Sequence, residues 1–159
     1  MSIDRARAHL KKFNLDGRII EFEVSSATVA LAAEALGTEE ARIAKSLSFL
    51  TPDGPILVIA AGDAKINNRK YKDTFGAKAK MIPYESVEEI IGHGVGGVCP
   101  FGINEGVRVY LDSSLRRFDV VYPAAGTAKS AVRLTIAELE ESSMSLSWVD
   151  VTGVADDGN

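Results

Sequence analysis

Residues 43–61 constrain this 159-residue chain more than any other stretch. Ile43 to Thr51 reads as a strand, Pro52-Asp53-Gly54-Pro55 as a turn, and Ile56 to Ala61 is unbroken apolar sequence. Proline and glycine set the turn through their own dihedral preferences. A strand with no polar residue on either side must be covered on both faces. The segment therefore predicts an antiparallel hairpin, 43–51 with 56–61 across a four-residue turn, inside a layered domain. The rest of the chain must supply the cover.

It has the elements to do so. Ile3, Ala6, Leu10 and Phe13 recur at helical spacing. A second helix follows Ser26, carries Val29, Ala33 and Leu36 on one face, and stops at Gly37. Thr38 is placed to cap a helical turn with Glu39 and Glu40. Asn67 to Phe75 reads as a basic helix ended by Gly76. Ser86-x-x-Glu89 and Thr135-x-x-Glu138 are capping boxes that open two more helices, the first ending at Gly92. Short strands are predicted at 18–24, 80–82, 107–111, 119–122 and 131–134. Hairpins interrupt any regular βαβ alternation. The expectation is one α/β domain of α+β character over residues 1–159, a curved mixed β-sheet surrounded by helices. The polar end, 152–159, is expected to be a flexible tail.

Several chemistries are excluded at this level. One cysteine leaves no internal disulfide. The two histidines, His9 and His93, and Cys99 lack the spacing of a zinc site, so no metal and no cofactor is expected. There is no G-x-S-x-G elbow and no P-loop lysine. The longest apolar run is too short to cross a bilayer, and the N-terminus lacks a secretory apolar core. A cytoplasmic protein with no membrane partner is expected. Net charge is −4, yet Lys65 to Lys80 holds six bases and one acid. That stretch, with Arg69, Lys70 and Lys72, is either a solvated face or a phosphate-tracking patch.

Three features carry candidate chemistry. Gly92-His93-Gly94-Val95-Gly96-Gly97-Val98-Cys99-Pro100-Phe101-Gly102 is a long turn or a loop that offers bare main chain to a ligand. Within it Cys99 is a packed small residue or a nucleophile with His93 as base. Lys45 is in phase with Ile43, Leu47 and Phe49 on one strand face. A lysine there either snorkels past the sheet end or meets an anion. Finally, Ala124-Ala125-Gly126-Thr127 is a small-residue turn between two strands.

These pieces occur in a familiar order: Lys45-Ser46-Leu47 at a strand start, the Gly96-to-Gly102 loop with its Gly-x-x-x-Pro element, then Ala125-Gly126-Thr127. The chain resembles the YbaK/EbsC family, free-standing relatives of the editing domain of bacterial prolyl-tRNA synthetase, from about Arg18 to Glu140. The resemblance implies that fold and a trans-editing deacylase, which hydrolyses the ester of a mischarged tRNA such as cysteine or alanine on tRNA for proline. The alternative is a non-catalytic module that binds tRNA ends or a synthetase. By the resemblance, Lys45 holds the phosphate of the terminal adenosine, and the loop from Gly96 to Pro100 positions the ribose and aminoacyl group. Gly97, Val98, Cys99, Phe101, Gly126 and Thr127 would line the substrate pocket. Arg69, Lys70 and Lys72 would contact the acceptor end of tRNA, and prolyl-tRNA synthetase is the implied partner. The chain departs from some relatives at Ala131, where they carry an acid, and at Tyr122-Pro123-Ala124-Ala125, where alanine-clearing members carry His-Pro and then Asn.

Overall fold

The computed structural model describes residues 2–154. Its centre is the hairpin. β2 (Ile43–Thr51) and β3 (Gly54–Ala61) pair antiparallel from Ala44↔Ala61 to Thr51↔Gly54. The turn is therefore two residues, Pro52 and Asp53, rather than four. The Thr51 hydroxyl donates to the Gly54 carbonyl at 2.7 Å and accepts from the Asp53 N–H at 3.1 Å. Gly54, at φ +118°, takes a conformation other residues resist, and this extends the ladder into the expected turn.

β3 lies third from one end of a curved, six-stranded mixed sheet ordered β8-β6-β2-β3-β5-β9. The added strands are β5 (Arg108–Asp112), β6 (Val120–Pro123), β8 (Leu134–Thr135) and β9 (Ser147–Val149). β6 runs parallel to β2, and β5 runs parallel to both β3 and β9. Every residue from Ile56 to Ala61 is inaccessible to solvent, as its unbroken apolar sequence requires. Leu57, Ile59 and Ala61 face one core with Ala6 and Leu10 of α1 (Ser2–Lys11), Val87 and Ile91 of α4 (Val87–Ile91) and Leu139 of α5 (Ile136–Ser142). Ile56 and Val58 face a second core with Phe49, Val151 and Tyr71 of α3 (Asn68–Phe75). Burying each such side chain contributes about 1.5–3 kcal/mol. α2 (Val29–Leu36) closes a third cluster, Ala32 and Ala33 against Ile43 and Tyr122.

Local signals held at several ends. The Thr28 hydroxyl caps α2, which stops at Gly37 in the left-handed region. Asn67 caps α3, and the Thr135–Glu138 capping box is complete. Others were overridden. Ser86 makes no side-chain cap, because the 3-10 turn Tyr84–Ser86 already leads into α4 with Ser86 in helical conformation. Thr38 does not cap the short turn Glu40–Arg42, whose preceding residue is Glu39. Residues 80–82 make a β-bridge to Phe49 rather than a strand. The stretch 131–134 divides at the exposed Arg133: β7 (Ser130–Val132) pairs with β1 (Ile19–Glu21), while β8 turns to β6.

Three short strands carried no sequence signal: β4 (Ala64–Ile66), β9 and β10 (Thr152–Val154). β10 pairs antiparallel with β4, so the first three residues of the expected tail are ordered. Residues 155–159 lie outside the described residues. Asp112, entirely buried, fastens this region by accepting from the Val151 N–H at 2.9 Å and the Thr152 hydroxyl at 2.6 Å. Among the described residues no helix is long and apolar enough to cross a membrane.

Candidate active site

The functional geometry starts from an interruption in the sheet. On its outer edge β2 pairs with β6 only at Ile43 and Ala44. Further along, the Leu50 N–H donates to the Lys80 carbonyl at 2.8 Å, and the Ser48 carbonyl accepts from the Ile82 N–H at 3.1 Å. Even-numbered residues of β2 therefore turn their main chain outward, away from β3. Between the two pairings Ser46 faces a gap. A cavity of about 380 Å³ occupies this gap. Its wall includes Ile43 to Ser46 and Ser48 from β2, Ser26 to Val29 ahead of and at the start of α2, and Tyr122 and Ala124 near β6. Met81, Tyr84 and Val95 join from the opposite side, with Gly96 and Val98 from the glycine loop.

Among the described residues Lys45 is the one charged residue in that wall. It is half-buried, and its ammonium donates to the Ala64 carbonyl. Lys45 thus lines the cavity while its ammonium is held at the Ala64 carbonyl, outside the wall. Burial lowers its proton affinity first; nearby Asp63 partly offsets this, and Lys65 adds repulsion. Asp63 is committed elsewhere: its carboxylate accepts from both terminal nitrogens of Arg117, at 2.5 and 3.0 Å, which holds the Asp63 carboxyl below its ordinary range. Among the described residues no carboxylate lies within ion-pair distance of Lys45. An ammonium has three donors. With one on Ala64, the others are available to an anion.

The loop from Gly92 to Gly102 forms the facing wall and is braced from behind. The Arg5 guanidinium donates to the Gly92 carbonyl at 3.1 Å and to the Asn104 side-chain oxygen at 2.9 Å. The His93 Nε2–H donates to the Phe101 carbonyl at 2.6 Å, which ties the loop's two ends. His93 is wholly buried; desolvation lowers its pKa, the Phe101 hydrogen bond opposes this, and Arg5 and His9 push the same way as burial. Gly96 sits at φ +95°, and a Cβ there would come within 3.1 Å of the Ala128 methyl. Only glycine leaves this turn of main chain at the cavity.

The structure divides the residues singled out from sequence. Lys45, Gly96 and Val98 line the cavity; Gly97, Cys99, Pro100, Phe101, Gly126 and Thr127 do not. Gly97 packs on Gly126 so closely that a Cβ would lie 2.4 Å from the Gly126 carbonyl oxygen. Gly126 in turn is wedged against the Ser2 carbonyl. These glycines pack the loop against the small-residue turn. Thr127 donates to the Ser130 hydroxyl at 2.8 Å, and it is Ser130 that reaches the wall. Cys99 is inaccessible, its thiol is pushed up to about 12 by burial, and both it and His93 point hydrogen bonds at Phe101 rather than at each other. That arrangement removes the Cys–His nucleophile reading. Arg69, Lys70 and Lys72 are exposed on α3, away from the cavity wall, and Lys70 donates to Asp150 at 3.2 Å and to the Thr152 carbonyl at 2.9 Å.

Sequence reasoning missed Ser46, Ser48, Met81 and Tyr84. The Ser46 hydroxyl is buried without a partner. Its signal was present, since a serine following the strand lysine interrupts an apolar run, but the gap it faces arises from pairings between distant segments. Tyr122, Ala124 and Ala131, at or beside the positions where the chain departs from relatives, all line the cavity, and Ala124 and Ala131 are bridged to each other. Among the described residues no carboxylate or imidazole lines it.

Residues 23–142 match the family model described as an aminoacyl-tRNA editing domain. The chain belongs to the aminoacyl-tRNA editing domain family. It is 51% identical to YwhH of Bacillus subtilis, a protein named as uncharacterized, over 95% of this chain and 97% of that one. It is 28% identical to proline–tRNA ligase of Streptococcus equi subsp. equi over 74% of this chain, which is 19% of the ligase. A solved structure described as a proposed trans-editing enzyme for prolyl tRNA synthetase superposes with a TM-score of 0.86 at 29% identity, covering 96% of this chain and 97% of that one. Every cavity-lining residue falls within the matched editing-domain span.

Proposed function

We propose that this editing domain acts in trans as an aminoacyl-tRNA deacylase, removing cysteine or alanine from mischarged tRNA for proline in the cytoplasm. In the reaction, water adds to the ester carbonyl carbon, the bond to the ribose oxygen breaks, and that oxygen leaves with a proton. The products are a free amino acid and an intact tRNA end. An aminoacyl ester is already activated, so positioning and charge stabilisation supply much of the rate. That suits a site whose wall, among the described residues, holds no acid or imidazole.

The observation that carries the reading is Lys45, a cation with no carboxylate partner among the described residues, on the wall of a cavity that Gly96 also lines. Lys45 holds the phosphate of the terminal adenosine, and the main chain at Gly96 to Val98 positions the ribose and aminoacyl group. Gly97, Pro100 and Gly126 act from behind that wall, fixing the loop. Apolar walls and small residues suit a short side chain, with size setting selectivity; one methylene is worth only ~1–3 kcal/mol. Arg69 and Lys72 give the acceptor stem a salt-sensitive contact, and prolyl-tRNA synthetase is the partner that supplies the mischarged substrate.

The test is turnover. Purified protein is mixed with tRNAs charged with alanine, cysteine, serine, threonine or proline, and loss of the ester is followed. Consumption of the alanyl or cysteinyl ester on tRNA for proline supports the assignment. Protection of every ester from spontaneous hydrolysis would identify a binding module instead.

A further inference from the structure

The cavity has a rim that the deacylation chemistry does not use. Eight large hydrophobic side chains are exposed among the described residues, and three of them line this one cavity: Met81 at 58%, Tyr84 at 75% and Val95 at 49%. Exposed singly they would need no explanation; gathered at one mouth they mark a contact surface. Tyr84 follows Pro83 in a short 3-10 turn, and Met81 is held by the bridge to Phe49. Val95 projects from the braced glycine loop. All three thus sit on supported backbone.

Charge decides what the rim can take. Glu85 follows Tyr84, and Glu88 and Glu89 lie on the first turn of α4. Those three carboxylates disfavour a phosphate on the Tyr84 side of the rim; exposed Lys80 lies beside Met81, and Lys45 on the β2 wall is the cation of the cavity lining. A flat, uncharged aromatic group linked to a phosphate matches both walls. We infer that Tyr84, with Met81 and Val95 beside it, is the stacking platform for the terminal purine base of the acceptor end. The inference rests on the editing reading and assigns the base contact that reading leaves open. Aromatic stacking accepts any base face, so the platform contributes affinity and orientation rather than discrimination among tRNAs.

The probe is an acceptor-stem RNA whose terminal adenine is replaced by fluorescent 2-aminopurine, which stacking quenches. Wild-type protein is expected to quench it on binding. Tyr84→Ala should abolish most of the quenching, weaken binding about ten-fold and raise KM for deacylation by a similar factor with kcat nearly unchanged. Tyr84→Phe should restore all three, since the ring remains. Binding and deacylation by wild type with no change in Tyr84→Ala would overturn the platform and leave the editing reading intact. No binding of the RNA by wild type would overturn both.

Discussion

The two edges of β2 have opposite fates. Toward β3 the strand is laddered over eight residue pairs and buried between two cores. Toward β6 it is paired at two residues, bridged again near Phe49, and left open between. The closed edge makes the domain; the open edge makes the cavity. The difference teaches that this fold places its candidate site where the sheet is unfinished, so that main chain and a lysine line a cavity without disturbing the core.

The contrast can be probed from both sides. Leu57→Ala, on the closed side, should cost about 2–5 kcal/mol of folding stability through lost burial and a cavity, read as a lower urea midpoint, while folded molecules keep their activity. Lys45→Met, on the open side, should lower deacylation kcat/KM about 100-fold, a loss of ~2.7 kcal/mol in the transition state. The same change should leave the urea midpoint equal or higher, because it removes a half-buried charge. A Lys45→Met variant with full activity would show that the unpaired edge is not the site.

A third test uses pH. Burial lowers the folded-state pKa of Lys45 below the ordinary 10.5. Activity that needs the ammonium is complete below the folded value and falls as pH rises through it. Between the folded value and 10.5 the unfolded chain holds the proton more tightly, so this group makes stability rise with pH in that window. An activity profile flat through the window would separate Lys45 charge from catalysis. The smallest effect is expected from Asp63→Asn. Its pair with Arg117 is substantially exposed and contributes only about 0.5 kcal/mol. The substitution also removes the charge that supports the Lys45 proton, so the falling limb of the activity profile should move to lower pH.

Much of this was legible in the chain. The double-faced burial of β3 follows from its apolar run, and the helix ends at Gly37, Gly76 and Gly92 follow from glycine's left-handed tolerance. Lys45 was visible by its phase among apolar neighbours. The cavity wall was harder to read. Cys99, Phe101, Gly126 and Thr127 sit in the right segments yet are not among the wall residues, because no local rule sets which loop residues face in. Tyr84 and Ser46 reach the wall because Ile82 docks on Ser48. That contact joins distant segments and leaves no local trace. The missed strands β4, β9 and β10 are three residues each, too short for a two-residue period to stand out.

The amino-acid sequence alone determined the central hairpin, the helix boundaries set by glycine and the capping box at Thr135, because each depends on dihedral preference or burial within a few residues. Only the tertiary structure decided which edge of β2 stays unpaired, which side of the glycine loop faces the cavity, and that Asp63 is held by Arg117 rather than by Lys45. Those outcomes are contests between partners far apart in the chain, and packing settles them.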